Sequence, residues 1–168
     1  MGKTSGGNRI LKTGSREYRR RGKEVEEMLA SGKYSSVSLS VKGGGYVAIE
    51  KSPAKHKPEE IEAATILANR GYKVILKNEA GQTRTPDGEL FSISFEQRTP
   101  TSAPVYKALE HARTKNVQIA LIYDKHHIYQ RADIDRGIKE YESLNGYRFK
   151  QIIVVAHDGK VHKHKHNG

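Results

Sequence analysis

The sequence predicts an α/β fold built on a mixed sheet packed on both faces. Three observations point there. Apolar residues recur at helical spacing in 58–70 and 104–115, the signature of amphipathic helices. Between and after them lie short apolar or alternating runs of strand length, such as YKVILK and VQIALIYD. Helices also follow strands, which favours a mixed sheet with helical cover.

Each element has its own local reason. Residues 1–14, MGKTSGGNRILKTG, are rich in Gly, Lys, Ser and Thr and are expected as a flexible basic arm. A helix is expected over 15–30, with Ser15 as N-cap, Val25, Met28 and Leu29 as a short apolar stripe, and Gly32 as its stop. YSSVSLSVKGGGYVAIE alternates on both sides of a triple glycine and predicts a β-hairpin over about 34–50, with Val37, Leu39 and Val41 on one face. That glycine run lacks the Lys-Ser/Thr of a phosphate-binding loop, so it reads as a turn. After the linker KSPAKHK, Pro58 suits a first helical turn; the helix turns Ile61, Ala64, Leu67 and Ala68 inward and stops at Gly71. Strands are expected at 72–77 and 89–97, and a second core helix carries Val105, Ala108, Leu109 and Ala112. The run 117–124 suits a strand covered on both faces. A helix at about 132–144 with Ile134, Ile138 and Tyr141, and a strand at 151–158, complete the pattern. The chain thus divides into a basic arm (1–14), a helix-plus-hairpin extension (15–57), an α/β domain (58–158) and a His/Lys-rich tail (159–168) expected to be mobile.

With 168 residues the chain can bury a real core, and the absence of cysteine excludes disulfides and thiolate metal sites. No run approaches the roughly 18 apolar residues that span a membrane, and the first residues lack a signal-peptide core. A cytoplasmic protein, or one delivered into a target cell's cytoplasm, is expected. The net charge of +11 is unevenly spread: residues 1–57 carry +8, residues 58–145 carry −1 and residues 146–168 carry +4. Basic ends around a near-neutral centre attract polyanions through phosphate neutralisation. Nucleic acid is the expected partner, with Arg19, Arg20, Arg21, Lys55, Lys57 and Lys115 as the cations that would hold its backbone.

The stretch RTPDGELFSISFEQRT places Asp87 at a turn and Glu96 on a predicted strand, with Arg98 two residues beyond. Alternation along 89–97 puts Phe91, Ile93 and Phe95 on one face and Leu90, Ser92, Ser94, Glu96 and Arg98 on the other. Two carboxylates brought together would offer hard oxygen ligands to Mg²⁺ or Mn²⁺. A nearby cation would stabilise charge developing on a phosphate. The plainer alternative is an Asp-Gly turn with Glu96 paired to Arg98 on a solvated face.

Pro86-Asp87, eight intervening residues and Glu96-Gln97-Arg98 resemble the bipartite motif of the PD-(D/E)XK nucleases. The order of elements from 58 to 124 is similar to that superfamily's αβββαβ restriction-endonuclease-like core, here with an added N-terminal helix and β-hairpin. More narrowly, residues 55–125 resemble the C-terminal tRNase toxin domains of CdiA-type contact-dependent inhibition proteins, whose relatives occur also in phage and mobile elements. The resemblance implies metal-dependent cleavage of RNA, with tRNA as substrate and an acidic immunity protein as a partner. It implies that Asp87 and Glu96 ligate Mg²⁺ or Mn²⁺, that Glu62 (or Glu59) completes the acidic set, and that Lys115 and Asn116 face the site. The family's lysine falls on Arg98, a departure: arginine clamps a phosphate but does not readily act as a base. A descendant that binds nucleic acid without cutting it therefore stands as an alternative.

The histidines offer a rival chemistry. His126 and His127 follow a strand end, and with Lys125 or Arg131, or with His56 between two lysines, they could cleave RNA without metal, as barnase- or colicin-like RNases do. Each is otherwise an ordinary surface residue. His162, His164 and His166 alternate with lysines; on a strand all three would face one way and could bind Zn²⁺ or Ni²⁺ adventitiously, whereas a mobile tail is the expectation. Tyr18, Tyr34, Tyr46 and Tyr147 lie near basic residues and could stack on bases.

Overall fold

The computed structural model of the chain describes residues 9–52, 56–78, 85–146 and 149–165. The backbone divides into two compact units, Met1–Ser92 and Ile93–Gly168. Both are α/β.

The first unit contains helix α1 (Arg16–Ser31), strands β1 (Tyr34–Leu39) and β2 (Tyr46–Glu50), helix α2 (Pro58–Ala68), and strands β3 (Lys73–Leu76) and β4 (Gly88–Leu90). Ser15 caps α1 as expected, its side chain accepting from the Tyr18 amide at 3.2 Å, and Gly32 ends the helix at φ 75°. The β1–β2 pair is the antiparallel hairpin that alternation predicts. Helix α2 then carries the chain over to β3, which lies parallel to β2, and β4 returns antiparallel to β3.

The triple glycine serves close backbone packing. The Gly45 and Tyr46 amides donate to the carbonyls of Ala68 and Tyr72, each at 3.0 Å. A Cβ at Gly43 or Gly45 would strike the backbone leaving α2, at Asn69 and Tyr72 respectively. This turn therefore belongs to the fold, as its sequence suggests.

Three expected core residues lie outward. Leu29, Val41 and Ile61 are exposed. β1 ends at Leu39, which leaves Val41 in the turn, and α2 buries Ala63 beside Ala64, Leu67 and Ala68. The helix register is set by the small alanines that let α2 approach the sheet, not by the larger isoleucine.

The second unit contains β5 (Ile93–Arg98), α3 (Val105–Arg113), β6 (Ile119–Asp124), α4 (Arg131–Asn145), β7 (Gln151–Ala156) and β8 (Val161–Lys165). β5, β6 and β7 run parallel and β8 returns antiparallel to β7. Helices α3 and α4 share one core with Ala120 and Ile122 of β6 and Ile152 and Val154 of β7, so both cover the same face. Every residue of β6 is buried, as expected for a strand covered on both faces. Gly137 lets the helices meet, since a Cβ there would strike Val105.

Two strand expectations need correction. The alternating run 89–97 is not one strand: Phe91 and Ser92, at φ 48° and 70°, turn the chain between β4 and β5. Residues 161–165 are not a mobile tail but the edge strand β8, with His162 opposite Val154 and His164 opposite Ile152. The local signal for the second was Asp158-Gly159, where Gly159 at φ 87° makes the reversal. His166 lies outside the described residues, as do Lys55 and Tyr147.

Candidate active site

In the first unit Asp87 sits just ahead of β4, only 6% exposed, with its carbonyl accepting from the Lys77 amide at 3.0 Å. Glu59 and Glu62 lie one turn apart on α2, both half-buried. His56 is held: its Nδ1 lies 2.7 Å from Glu60 Oε1, and both side chains are largely enclosed. The carboxylate fixes the orientation of an imidazole that is itself largely enclosed. Arg21 also departs from expectation. It is 6% exposed, and its Nη1 donates to the carbonyls of Gly44 (3.1 Å) and Gly71 (2.9 Å). Its guanidinium ties the glycine turn to the exit of α2, whereas Arg19 and Arg20 are exposed. Lys57 is exposed as well. Tyr46 is 5% exposed, and burial first, then the charge of Glu24, pushes its hydroxyl up to about 12. It is a core residue with no face for a base.

In the second unit Glu96 is 4% exposed at the middle of β5. It pairs in register with Ala120, and Arg98 with Ile122. Neighbouring strands present paired residues on one face, so Glu96 and Arg98 share the face that α3 and α4 cover. The alternation predicts this common face. The bland picture of a solvated Glu–Arg pair fails at Glu96, because a carboxylate this buried requires compensating partners. Gln97, on the opposite face and 7% exposed, donates from Nε2 to Thr99 Oγ1 at 3.2 Å. At the exit of α3, Lys115 is half-buried and Asn116 adopts φ 55°.

The carboxylates of Asp87, Glu96 and Glu62 are hard oxygen donors, the chemistry Mg²⁺ or Mn²⁺ requires. Among the described residues no group of three or more His, Asp or Glu is placed to hold a metal ion. By donor type alone these carboxylates suit Mg²⁺, which commonly takes one or two carboxylates and keeps several waters.

Among solved structures, the chain is similar to a chain of the CdiA-CT/CdiI toxin and immunity complex from Burkholderia pseudomallei. The TM-score is 0.54 at 18% identity, over 70% of this chain and 98% of that one. The likeness is one of fold. No protein-family model and no curated protein matches the chain.

The same second unit holds a cleft that sequence reasoning found only in part. Its volume is about 390 Å³, and it opens where β6 and β7 end. His127 lines it at φ 54°, its amide bonded to the Asp124 carbonyl at 3.2 Å. Asp124, 3% exposed, accepts from the amides of Ile128 (2.9 Å) and Tyr129 (3.2 Å) and so fixes the loop after β6. The Tyr129 hydroxyl donates to the Ala103 carbonyl, and burial first, then Asp124 and Asp133, raises it to about 12. The residue missed is His157. Its ring stacks on His127 with centroids 3.9 Å apart and planes 21° apart. Its place at the end of a predicted strand was the available signal. No helix among the described residues is long and apolar enough to cross a membrane.

Proposed function

We propose that the chain is a toxin-like nuclease that cleaves RNA phosphodiesters, with tRNA as its substrate class. The observation that carries this reading is the burial of Glu96 beside Arg98 on one face of β5, within a fold shared with a chain of a toxin and immunity complex. Burying a carboxylate costs stability and is common where a protein needs its chemistry. Asp87 and Glu96 are assigned to Mg²⁺ or Mn²⁺ by their motif, with Glu62 in support. A bound metal of this kind activates water and offsets charge on the phosphate. Arg98 contacts the scissile phosphate, for which its forked guanidinium is suited. The exposed cations Arg19, Arg20 and Lys57 hold the flanking backbone. The complex formed by the solved relative supports a further partner, an acidic immunity protein that covers the basic surface.

The test is cleavage of total tRNA by purified protein with Mg²⁺, Mn²⁺ or EDTA, beside Asp87→Asn and Glu96→Gln. Metal-dependent cleavage reduced at least about a hundredfold in both variants is expected. Cleavage that ignores EDTA and both substitutions would transfer the chemistry to the histidines. RNA binding with no cleavage under any metal would leave a binding protein in which Arg98 has replaced the lysine that cutting needs.

A further inference from the structure

We propose that the cleft at the ends of β6 and β7 is a binding subsite for a single unpaired nucleotide. The base would stack on the His127–His157 pair, and the flanking phosphates would meet Arg131 and Lys160. The inference rests on the chain being directed at RNA, and it deepens that reading by naming what part of the RNA is held.

Shape, rigidity and charge support it. At about 390 Å³ the cleft falls within the range of small-molecule sites. His127 and His157 are exposed and already stacked, so their outer surface extends a flat aromatic platform of the kind that holds splayed-out bases. The loop that carries His127 is pre-set by the two amide bonds to Asp124 and by the Tyr129–Ala103 bond. A platform fixed before binding avoids an ordering cost.

The charges leave room for an anion. Asp124 directs its carboxylate to its own loop amides. Arg131 meets Asp135 at 3.5 Å and Lys160 meets Asp158 at 3.9 Å, both as exposed pairs. Such pairs are weak and exchange readily for a phosphate. Cutting by the two histidines fits the geometry poorly. General acid and base must act on opposite sides of the phosphorus, whereas these rings lie face against face. The pair is arranged to bind.

The experiment is fluorescence anisotropy in EDTA, which keeps binding readable without metal-dependent cleavage. The probes are a labelled 12-nucleotide single-stranded RNA and the same RNA as a duplex. The proteins are wild type, His157→Ala, His157→Tyr, His127→Ala and Arg131→Ala, each checked for an unchanged melting temperature. His157→Ala should weaken single-strand binding about tenfold, and His157→Tyr should restore most of it, since stacking and not imidazole chemistry is required. Arg131→Ala should reduce the dependence on salt by about one ion. The duplex should be insensitive to both histidine changes. If His157→Ala and His127→Ala bind normally, or Tyr fails to rescue, the subsite is refuted. If inorganic phosphate alone shifts the His127 and His157 ring signals by NMR as fully as a nucleoside monophosphate does, the cleft is a phosphate site and the stacking proposal falls. The two readings fail separately: absent tRNA cleavage with His157-dependent binding removes the nuclease, and intact cleavage with His157-independent binding removes the subsite.

Discussion

Arg21 carries a different burden from the arginines beside it. The run RRRGK reads as one patch of charge, but only Arg19 and Arg20 face water, while Arg21 bridges two carbonyls from inside the first unit. Desolvation lowers its pKa from the ordinary value, with nearby Glu24 opposing the shift. Removing a buried donor strands the acceptors it served, at about 1–3 kcal/mol. Arg21→Ala should therefore lower stability by about 2 kcal/mol in urea unfolding, whereas Arg19→Ala and Arg20→Ala should each stay within about 0.5 kcal/mol. Equal effects at all three positions would refute the assignment. Nothing in the local pattern separates these arginines, because what distinguishes Arg21 is the approach of Gly44 and Gly71, 23 and 50 residues away.

Among the elements, β8 departs most from its composition. VHKHK has the look of a charged tail, yet it pairs along β7 and sets His162 and His164 toward α4. Their Nε2 atoms lie 3.9 Å from Asp135 and 3.7 Å from Glu142 respectively. His162 has its pKa lowered, first by burial and then by Arg131 and His164, against the opposing pull of Asp135. A folded pKa below the unfolded value of 6.5 means that the unfolded chain binds the proton more readily. Stability from this group is therefore full above 6.5 and is lost as pH falls through the lowered folded value. Amide exchange of residues 161–165, corrected for intrinsic rates, should lose protection as pH is lowered from 7.5 to 5. His162→Gln should flatten that dependence. Protection that rises on acidification would show instead that the carboxylates of α4 dominate. The lysines of β8 fit an edge strand, where charge discourages pairing with other chains.

For the whole molecule, the uneven charge is the broadest functional feature, and it makes a numerical demand. If Arg19, Arg20, Lys57 and Lys115 each neutralise a phosphate of single-stranded RNA beside Arg98, Arg131 and Lys160, log affinity should fall with log salt at a slope of about −5. Binding measured between 50 and 300 mM NaCl tests this, and a slope near zero would remove nucleic acid as the partner of the basic ends. The sequence shows that charge directly, because it depends on composition alone. It also shows the order of helices and strands as far as residue 156, apart from the break between β4 and β5, together with the cap at Ser15, the hairpin over 34–50 and the common face of Glu96 and Arg98. These follow from periods of two or 3.6 residues and from residues with strong local preferences. Only the tertiary structure decided that Phe91 and Ser92 break a strand whose alternation continues unbroken. It alone buried Arg21, enclosed His56 beside Glu60, paired β8 and stacked His127 on His157. In most of these the deciding partner lies far along the chain or on another element; in the turn and the His56–Glu60 pair, packing selects among conformations that local preference leaves open. Period and propensity carry no record of which distant backbone will arrive, so those placements belong to the packed fold.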